Sequence, residues 1–461
     1  MRMPVTVITS LTFAACAPGD APGGGPIGSP ARIAAPTFQQ VAFWEAWREA
    51  RTPSEHIRAQ LSDSEGARWD CVDIEHQPAF RRATLARARR AAEIVDTETS
   101  NGRTISQDEV AAEVDAEFST SALRDISETE ARESLTIAFT EIEAAVKAAA
   151  LSGSRGGEMA GQSDSRSEAD ISGSCPVGTV PIESWSTDQI ALFGTLEAFL
   201  SPAPPAGGSQ ANHEYGMMGD SGSFTGGKGF INIWDPDVEM NSEFSLAQIW
   251  AWRGTGASTQ TVEAGWQDYY GRTLSHKPRL FVFSTSDGYA TGCYNNNCGD
   301  WVQTTCAVSL NQTWSTFSTD GGSQYSDEYG YWRGTTTGNW HFEYNGTIVG
   351  HYPSELFDSA GLLNTASRFD IGGEIINNNT GGSHTETDMG SGQFPSAGWT
   401  HAAYVRNVLS RTTTPSYVDF DVDGSDGDEP GCYDILTGDS PGGWDVYAYF
   451  GGPGYHPSNC P

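Results

Sequence analysis

The chain has 461 residues, of which 38% are hydrophobic and 14 are tryptophan, and its formal net charge is −33. This length predicts two domains with linkers, and the apolar content is sufficient for a folded core. The 59 acidic residues, against 26 basic ones, argue against a nucleic acid or an anionic lipid as partner, because both carry the same sign of charge. An acidic surface also suits a protein that works in acid, where many carboxylates are protonated and repel one another less.

The first 16 residues have the features of an export signal. Arg2 gives a positive start, residues 5–15 are largely apolar, and FAAC at 13–16 resembles the cleavage box of a bacterial lipoprotein. Cleavage there predicts Cys16 as a lipidated N-terminus on the outer membrane or cell surface; the alternative is an ordinary secretory cleavage nearby and a secreted protein. No later run reaches about 18 apolar residues, so no spanning helix is predicted, and membrane contact is expected only through the lipid.

Residues 17–36 are rich in Pro and Gly, as in a flexible tether, and residues 37–200 are predicted to form a helical region. Strong helix formers fill positions 83–92. Apolar residues from Leu135 to Ala149 recur at a spacing near 3.6, and Ser127 followed by acidic residues predicts the start of that helix. The sequence PAPPAGG predicts a Pro-rich linker over residues 201–209.

From residue 210 to residue 461, the pattern changes to short apolar and aromatic runs separated by turn residues. Examples are GFINIW at 229–234, TVEAGW at 261–266 and RLFVF at 279–283. Such a pattern is typical of an antiparallel sandwich or barrel. The predicted fold class is therefore mainly β, with an antiparallel β-sandwich domain preceded by a helical region.

The cysteines predict disulfides rather than a metal site. They are Cys16, Cys71, Cys175, Cys293, Cys298, Cys306, Cys432 and Cys460. None forms a CxxC pair or a Cys/His cluster with zinc spacing, and setting Cys16 aside leaves an odd number, so at least one thiol is expected to stay unpaired. The sequence DFDVDG at 419–424 fits the start of a calcium loop, but Pro430 stands where that loop needs a bidentate Glu. A solvated acidic loop is predicted there, and neither a metal nor a cofactor is expected.

A series of motifs runs in order through the β region. They are FINIWDP at 230–236, EFSLAQIW at 243–250, VEAGWQ at 262–267, SDGYATGCYN at 286–295, TGNW at 337–340, GHYP at 350–353, GGEI at 372–375, MGSG at 389–392 and YFGGPG at 449–454. With these motifs the region resembles the neprosin family of glutamic peptidases over almost its whole length. CVDIEHQPAF at 71–80 resembles the activation-peptide signature of that family, and CPVGTVPI at 175–182 resembles the end of its propeptide. The resemblance implies a zymogen whose residues 37–200 are a propeptide and whose residues 210–461 are the catalytic domain.

Carried over by motif, the resemblance implies Glu263 and Glu374 as the catalytic pair. Peptide hydrolysis needs a base for the attacking water and an acid for the leaving amine, and two nearby carboxyls that share one proton supply both. Because like charges in one cleft cannot easily both ionise, such a pair works when singly protonated, which predicts a low pH optimum. Which Glu is the base is left open.

The residues around the pair have two interpretations. Alternation along a strand puts Thr261, Glu263 and Gly265 on one face, and Gly265, Gly372 and Gly373 are interpreted as leaving room for a substrate backbone. Gln248, Gln303 and Tyr289 are candidates for stabilising an oxyanion, and Trp266, together with Trp250 and Trp340, for lining the cleft. The alternative for each is an ordinary place in the core or a structural hydrogen bond.

The family's preference for cleavage after proline implies proline-containing peptides as substrates and a mostly aromatic subsite. The resemblance also implies disulfides between Cys293 and Cys298 and between Cys432 and Cys460, while the partners of Cys71, Cys175 and Cys306 are left open. Pro202, Pro204 and Pro205 are interpreted either as a mere linker or as a site that the enzyme itself cuts.

Two other functions compete with the peptidase. A glycoside hydrolase with a jelly-roll sandwich also uses two carboxylates in a Trp-lined cleft. A non-catalytic carbohydrate- or protein-binding sandwich on the cell surface is the other alternative, although a propeptide-like N-terminal half argues against it.

Overall fold

The computed structural model describes residues 35–152, 162–200, 212–379, 383–413, 416–427, 429–441 and 443–460. The predicted export signal, Cys16, nearly all of the tether and the Pro-rich linker with its three prolines lie outside the described residues. None of the helices within these ranges has the length and apolar character that a membrane span requires.

Helices dominate the described part of the chain up to residue 200. They are α1 (Phe38–Arg51), α2 (Arg82–Ser100), α3 (Gln107–Phe118), α4 (Glu128–Ser152), α5 (Thr187–Ala191) and α6 (Leu196–Leu200). α1 begins behind Thr37, whose side chain accepts a hydrogen bond from the backbone of Gln40 while the Gln40 side chain bonds back. Trp44 and Trp47 of α1 are fully buried in an apolar cluster with residues of α2, α5 and α6. The helical character predicted for this region is confirmed.

Helix α4 is where the sequence predicts, but its apolar spacing does not predict which of its faces is buried. It begins directly after Ser127, which caps it by accepting a hydrogen bond from the backbone of Glu130. α4 buries Ala131, Leu135, Ala138 and Glu141, whereas Ile137 and Val146 are each 51% exposed. The apolar spacing therefore predicts the helix correctly but not the face that packs.

A small antiparallel sheet in the order β1-β2-β4 accompanies these helices. Its strands are β1 (Ile57–Ser62), β2 (Arg68–Asp73) and β4 (Thr179–Glu183), and the short strand β3 (Ala169–Asp170) pairs instead with β11 of the β region. A disulfide joins Cys71 in β2 to Cys175, which settles two of the cysteines whose partners the sequence left open.

From residue 212 on, the regular elements of the described residues are almost all antiparallel strands. They are β5 (His213–Asn232), β6 (Ser245–Arg253), β7 (Gln260–Asp268), β8 (Arg279–Thr285), β9 (Cys293–Tyr294), β10 (Val302–Gln303), β11 (Thr313–Trp314), β12 (Ser326–Arg333), β13 (Trp340–Tyr344), β14 (Thr347–Tyr352), β15 (Ala366–Ile376), β16 (Ala403–Thr412), β17 (Tyr417–Asp419), β18 (Gly424–Gly427), β19 (Asp434–Ser440) and β20 (Asp445–Gly451), with one short helix, α7 (Tyr270–Thr273). The mainly β fold class is confirmed. The run at 229–234 covers the end of β5 and the two residues after it, and the runs at 261–266 and 279–283 lie in β7 and β8.

The long strand β5 belongs to two layers. Its residues up to Phe224 pair with β15, and part of this half pairs with β18 on the other side. Its residues from Gly226 onward pair with β12 on one side and β16 on the other. The first layer therefore has the order β18-β5-β15-β6-β7-β8-β9, and the second has the order β10-β14-β13-β12-β5-β16-β20-β19.

The two layers pack face to face. Trp266 of β7 is fully buried, and its indole donates a hydrogen bond of 2.8 Å to the carbonyl of Asn232 in β5. The hydroxyl of Tyr331 in β12 likewise donates to the carbonyl of Glu263 in β7 over 3.0 Å. One large apolar cluster fills the space between the layers, as a sandwich requires.

Three glycines near the glutamates are required by the packing of the protein itself. A Cβ at Gly265 would lie 2.0 Å from the carbonyl oxygen of Ala247, and one at Gly372 would lie 2.3 Å from that of Gly216. At Gly373 the added atom would meet the ring of Phe450 at 2.6 Å. The interpretation that they leave room for a substrate is therefore wrong, because neighbouring strands and the core occupy that space.

Disulfides also hold the β region. Cys293 is bonded to Cys298 and Cys432 to Cys460, the two pairings that the family resemblance implied. Cys306 carries a free thiol. Three disulfides are consistent with an extracellular or secreted protein, because such bonds persist in oxidising compartments.

The predicted acidic loop lies at an edge of the first layer. Its residues Gly424–Gly427 form β18, which pairs with β5, instead of continuing a calcium loop. The side chains of Asp421, Asp423 and Asp426 are exposed to solvent, in agreement with a solvated acidic segment.

Buried polar contacts hold the N-terminal part against the β region. Asp63, in the turn between β1 and β2, forms an ion pair of 2.7 Å with Arg279, and both side chains are at most 2% exposed. Glu141 of α4 accepts hydrogen bonds from the loop at Thr337 and lies 3.3 Å from His341. In each contact a carboxylate provides the counter-ion or the hydrogen-bond acceptor of a buried group in the β region.

The Asp63–Arg279 pair yields a stability prediction. Replacing Asp63 with Ala leaves a buried guanidinium without its counter-ion, so the free energy of unfolding should fall by about 3 to 5 kcal/mol in urea denaturation. The matched control is Asp115→Ala, which removes the more exposed partner of Arg87 and should cost less than about 1 kcal/mol. Equal effects of the two changes would contradict the anchoring role of Asp63.

Candidate active site

Glu263 lies in the middle of β7, on the face of the first layer that is turned away from the core. Its neighbours Val262 and Ala264 are fully buried between the layers, as strand alternation predicts. The Glu263 carboxyl is only 5% exposed, and its Oε1 accepts two hydrogen bonds of 2.7 Å, from the hydroxyls of Thr261 and Tyr289.

Glu374 lies on β15 and faces the same way. Its Oε2 accepts a hydrogen bond of 3.2 Å from the side-chain amide of Gln248. Its Oε1 lies 2.5 Å from Nδ1 of His213, the first residue of β5. Both carboxylate oxygens of Glu374 therefore have a donor.

Strand β6 lies between the two glutamate strands and carries Gln248. Gln248 pairs with Gly372 of β15 on one side and with Gly265 of β7 on the other, so its side chain projects from the same face as both glutamates. The Gln248 side chain also acts on Glu263, whose pKa it lowers. Its Oε1 is buried and has no partner within the described chain. Gln248 thus lies between the two glutamates and donates to one of them.

Aromatic side chains surround the pair. The buried apolar cluster on this face consists of Phe244, Leu246, Trp250, Tyr269, Phe281, Phe283, Tyr294 and Ile376, with Tyr215, Met217 and Trp252 packed against it. The ring of Phe283 stacks on Tyr289 at 6.0 Å, and the ring of Tyr215 lies edge-on to Trp250 at 6.3 Å. These rings remove water from the carboxyl groups and leave hydrogen bonds as their main source of stabilisation.

Burial raises the pKa of Glu263 to about 7, and the charge of Glu374 adds to the shift. The hydrogen bonds from Thr261 and Tyr289, and the Gln248 side chain, lower the pKa of Glu263 but have less effect than burial. Tyr289 as a whole is 38% exposed, but its hydroxyl end lies against Glu263. Desolvation of this hydroxyl, together with the charge of Glu263, raises the pKa of Tyr289 well above its usual value, so the hydroxyl remains a neutral donor. The site therefore holds a proton on Glu263 in acid.

The structure divides the predicted site residues into two groups. It brings Glu263, Glu374, Gln248 and Tyr289 together, and Trp250 lies on the same face. Trp266 belongs to the core between the layers instead, because its odd offset from Glu263 in the strand turns it to the opposite face.

Gln303 is likewise not part of this site. It is fully buried in β10, where its amide donates to the carbonyl of Val308 over 2.8 Å and its Oε1 accepts from the indole of Trp301 over 2.7 Å. Trp340 is also a core residue, with its indole bonded to the carbonyl of Leu362. For these residues the structural interpretation is the correct one.

Two residues of the site were missed by sequence reasoning as partners of the glutamates. Thr261 could have been found, because it lies two positions before Glu263 and strand alternation places both on one face. His213 gives no such signal, since it follows the Pro-rich linker and reaches Glu374 only through the pairing of β5 with β15.

One cluster of potential metal ligands occurs among the described residues, formed by His384, Cys432 and Cys460. The two sulfur atoms are bonded to each other, so they offer no thiolate to a metal. The cluster is therefore a disulfide beside a histidine.

The fold and site define an antiparallel β-sandwich. On the face of the first layer that is turned away from the core, it carries two neighbouring buried glutamates. Residues 241–453 match the family model described as Neprosin. The family resemblance predicted from the motifs is thereby confirmed, and the match supports a peptidase, that is, a hydrolase of peptide bonds.

The chain is also similar to several solved structures. A Scytalido-glutamic peptidase with a peptide-based transition state analog is 13% identical, over 52% of this chain and 98% of that one, with a TM-score of 0.27. SCP-B of the Eqolisin family of peptidases, in complex with the tripeptide Ala-Ile-His, is 12% identical over the same shares, with a TM-score of 0.26. Sheep Galectin-11 is 11% identical over 35% of this chain and 93% of that one, with a TM-score of 0.21. Similarities this low decide nothing about the chemistry of the site.

The raised pKa of Glu263 predicts that the free energy of unfolding falls as the pH rises. The folded protein keeps a proton on Glu263 between its ordinary value of 4.5 and about 7, so this group lowers stability as the pH rises through that interval. Glu263→Gln should be more stable than the wild type at pH ~8, by on the order of 2 kcal/mol, and nearly equal to it at pH ~4.

Urea denaturation at the two pH values measures this difference. The exposed Glu133→Gln change is the control, and it should leave the pH dependence of stability as it is in the wild type. A Glu263→Gln protein that gains nothing at the higher pH would contradict the burial of an ionising carboxyl at this position.

Proposed function

We propose that this chain is a glutamic endopeptidase in which Glu263 and Glu374 activate water with one proton held between them. The observation that carries the proposal is the arrangement of the pair: Glu263 and Glu374 are both buried on one face of the sheet, on either side of Gln248, whose amide donates to Glu374. The match of residues 241–453 to the Neprosin family supports it, as do the hydroxyl and amide donors aimed at the carboxyls.

The proposed reaction uses the unequal protonation of the pair. The ionised Glu374 takes a proton from water as the water oxygen bonds to the substrate carbonyl carbon. Glu263, whose pKa is about 7, donates its proton to the amine nitrogen as the carbon–nitrogen bond breaks. The proton gained by Glu374 then restores a pair with one shared proton.

Neutral donors beside the pair are suited to the remaining tasks. Tyr289 and the amide of Gln248 are the donors on this face that can stabilise the oxyanion of the tetrahedral intermediate. The buried Gln248 Oε1 is an acceptor that can orient the attacking water.

The catalytic proposal is tested with acid-matured protein on a proline-containing and a proline-free peptide between pH ~3 and ~8. Cleavage should decline as the pH rises through about 7, because Glu263 then loses the proton that the leaving amine needs. Glu263→Gln and Glu374→Gln should each lower kcat/KM by about 100-fold or more, while Glu133→Gln should not. A kcat/KM close to the wild-type value in either variant would overturn the assignment.

The same assay decides specificity and the competing function. Preferred cleavage after proline is the outcome expected from the family resemblance, and the aromatic surroundings of Trp250 and Tyr215 are compatible with a proline ring. A matured, folded protein that cuts neither peptide would favour the glycoside hydrolase, and a polysaccharide screen would then replace the peptides.

We also propose that the chain is an exported zymogen with residues 37–200 as its propeptide, carried either as a lipoprotein through Cys16 or as a secreted protein. The docking of the N-terminal part through Asp63 and Glu141 supports a bound proregion. The Pro-rich segment at 201–209 joins this part to the β domain and would suit the enzyme's own specificity.

Self-processing gives a separate prediction. At acidic pH the wild-type precursor should be cut between the proregion and the β domain, whereas Glu374→Gln should accumulate as the uncut chain on denaturing gels. Adding matured wild-type enzyme should process the variant, which distinguishes a lost activity from a hidden cleavage site. Normal maturation of Glu374→Gln by itself would show that another protease cuts this chain.

A further inference from the structure

One histidine contacts the catalytic face. His213 opens β5, and its Nδ1 lies 2.5 Å from Glu374 Oε1. The imidazole is 24% exposed and the Glu374 side chain 7%, so the contact is largely shielded from water. Within the described ranges, His213 is the basic side chain that forms an ion pair with Glu374.

We propose that His213, in its protonated form, is the positioning residue that keeps Glu374 ionised and thereby makes Glu374 the base and Glu263 the acid. The inference rests on the proposed peptidase function and adds to it the device that distributes the single proton. His213 acts through Glu374 and needs no contact with the substrate.

The surroundings of His213 are consistent with a cation at this position. Glu374 on β15 contacts the imidazole directly, Glu263 on β7 acts on it through its charge, and Tyr215 stacks on it from its own strand at 6.5 Å. The ring of Phe244 packs edge-on at 5.6 Å and carries no charge. The titratable groups that face His213 therefore favour its protonated form or stay neutral.

Two opposing effects act on the imidazole. Burial lowers the pKa of His213, but the hydrogen bond and charge of Glu374, with the charge of Glu263, together raise it above its usual value. The imidazolium is therefore present at mildly acidic pH. A cation at hydrogen-bond distance offsets part of the cost of keeping a carboxylate in a shielded site.

The two glutamates differ in the kind of donor that they receive. Glu263 accepts hydrogen bonds from the uncharged hydroxyls of Thr261 and Tyr289. Glu374 accepts one from the uncharged amide of Gln248 and one from His213, which brings a positive charge. A positive charge beside one member of a carboxyl pair places the shared proton on the other member.

The kinetic test is His213→Gln, which retains an N–H donor but cannot be protonated. The acidic limb of the kcat/KM profile should move up by about one pH unit, because the positive charge beside the carboxyl pair is then lost. The matched control is His384→Gln. His384 forms a comparable ion pair, of 2.9 Å, with Glu214 and not with Glu263 or Glu374. An acidic limb that stays at its wild-type position in His213→Gln, in protein with unchanged thermal stability, would overturn the proposal.

A second measurement does not depend on activity. The chain has nine histidines, so ring carbon–proton spectra of ¹³C-labelled full-length protein can be assigned by comparison with His213→Gln. In Glu374→Gln the titration midpoint of His213 should fall by about one pH unit or more, because the charge that raises it is lost. The midpoint of His384 should not change.

The two readouts separate the two proposals. A protein that cleaves no peptide but shows the His213 shift in Glu374→Gln would refute the peptidase and leave the ion pair standing. If the protein cleaves peptides but the titration midpoint of His213 is the same in the wild type and in Glu374→Gln, the role of His213 is refuted and the peptidase function is not.

Discussion

The bent strand β5 is the constraint on which the rest of the molecule depends. Because one half of it pairs in the first layer and the other half in the second, the strands must fold over themselves and bury the apolar cluster between them. The face of the first layer that is turned away from this core then carries Glu263, Gln248 and Glu374 from three adjacent strands. The start of the same strand brings His213 to Glu374.

The chemistry of the site follows from an unequal environment of two identical side chains. Both glutamates lose water to the surrounding aromatic rings, which by itself favours their neutral forms. Because burial raises the pKa of Glu263 to about 7, Glu263 avoids the desolvation of a charge by staying protonated below that pH. Glu374 contacts an amide and a histidine instead, and the histidine is the one donor of the site that can carry a positive charge. Gln248 lies between the two glutamates on the middle strand of the three.

Sequence reasoning reached the strand positions of both glutamates because motif and alternation agree there. It failed where the answer depends on which strands are neighbours. Gln248 and Gln303 are equally polar and both occur in apolar surroundings, yet only the order β15-β6-β7 turns Gln248 toward the carboxyls. The sequence around Gly265 and Gly372 suggests space for a substrate backbone, although the carbonyls of adjacent strands occupy that space.

The sequence by itself determined the mainly β class, the helical N-terminal part, the disulfide-forming chemistry and the motifs that carry the glutamates. These features depend on local spacing and composition, which are present in the unfolded chain. The tertiary structure alone decided that Cys71 meets Cys175, that Asp63 neutralises Arg279 and that His213 contacts Glu374. The two members of each pair are far apart along the chain. Strand pairing brings them together, and burial then favours the charge or the thiol that has found a partner.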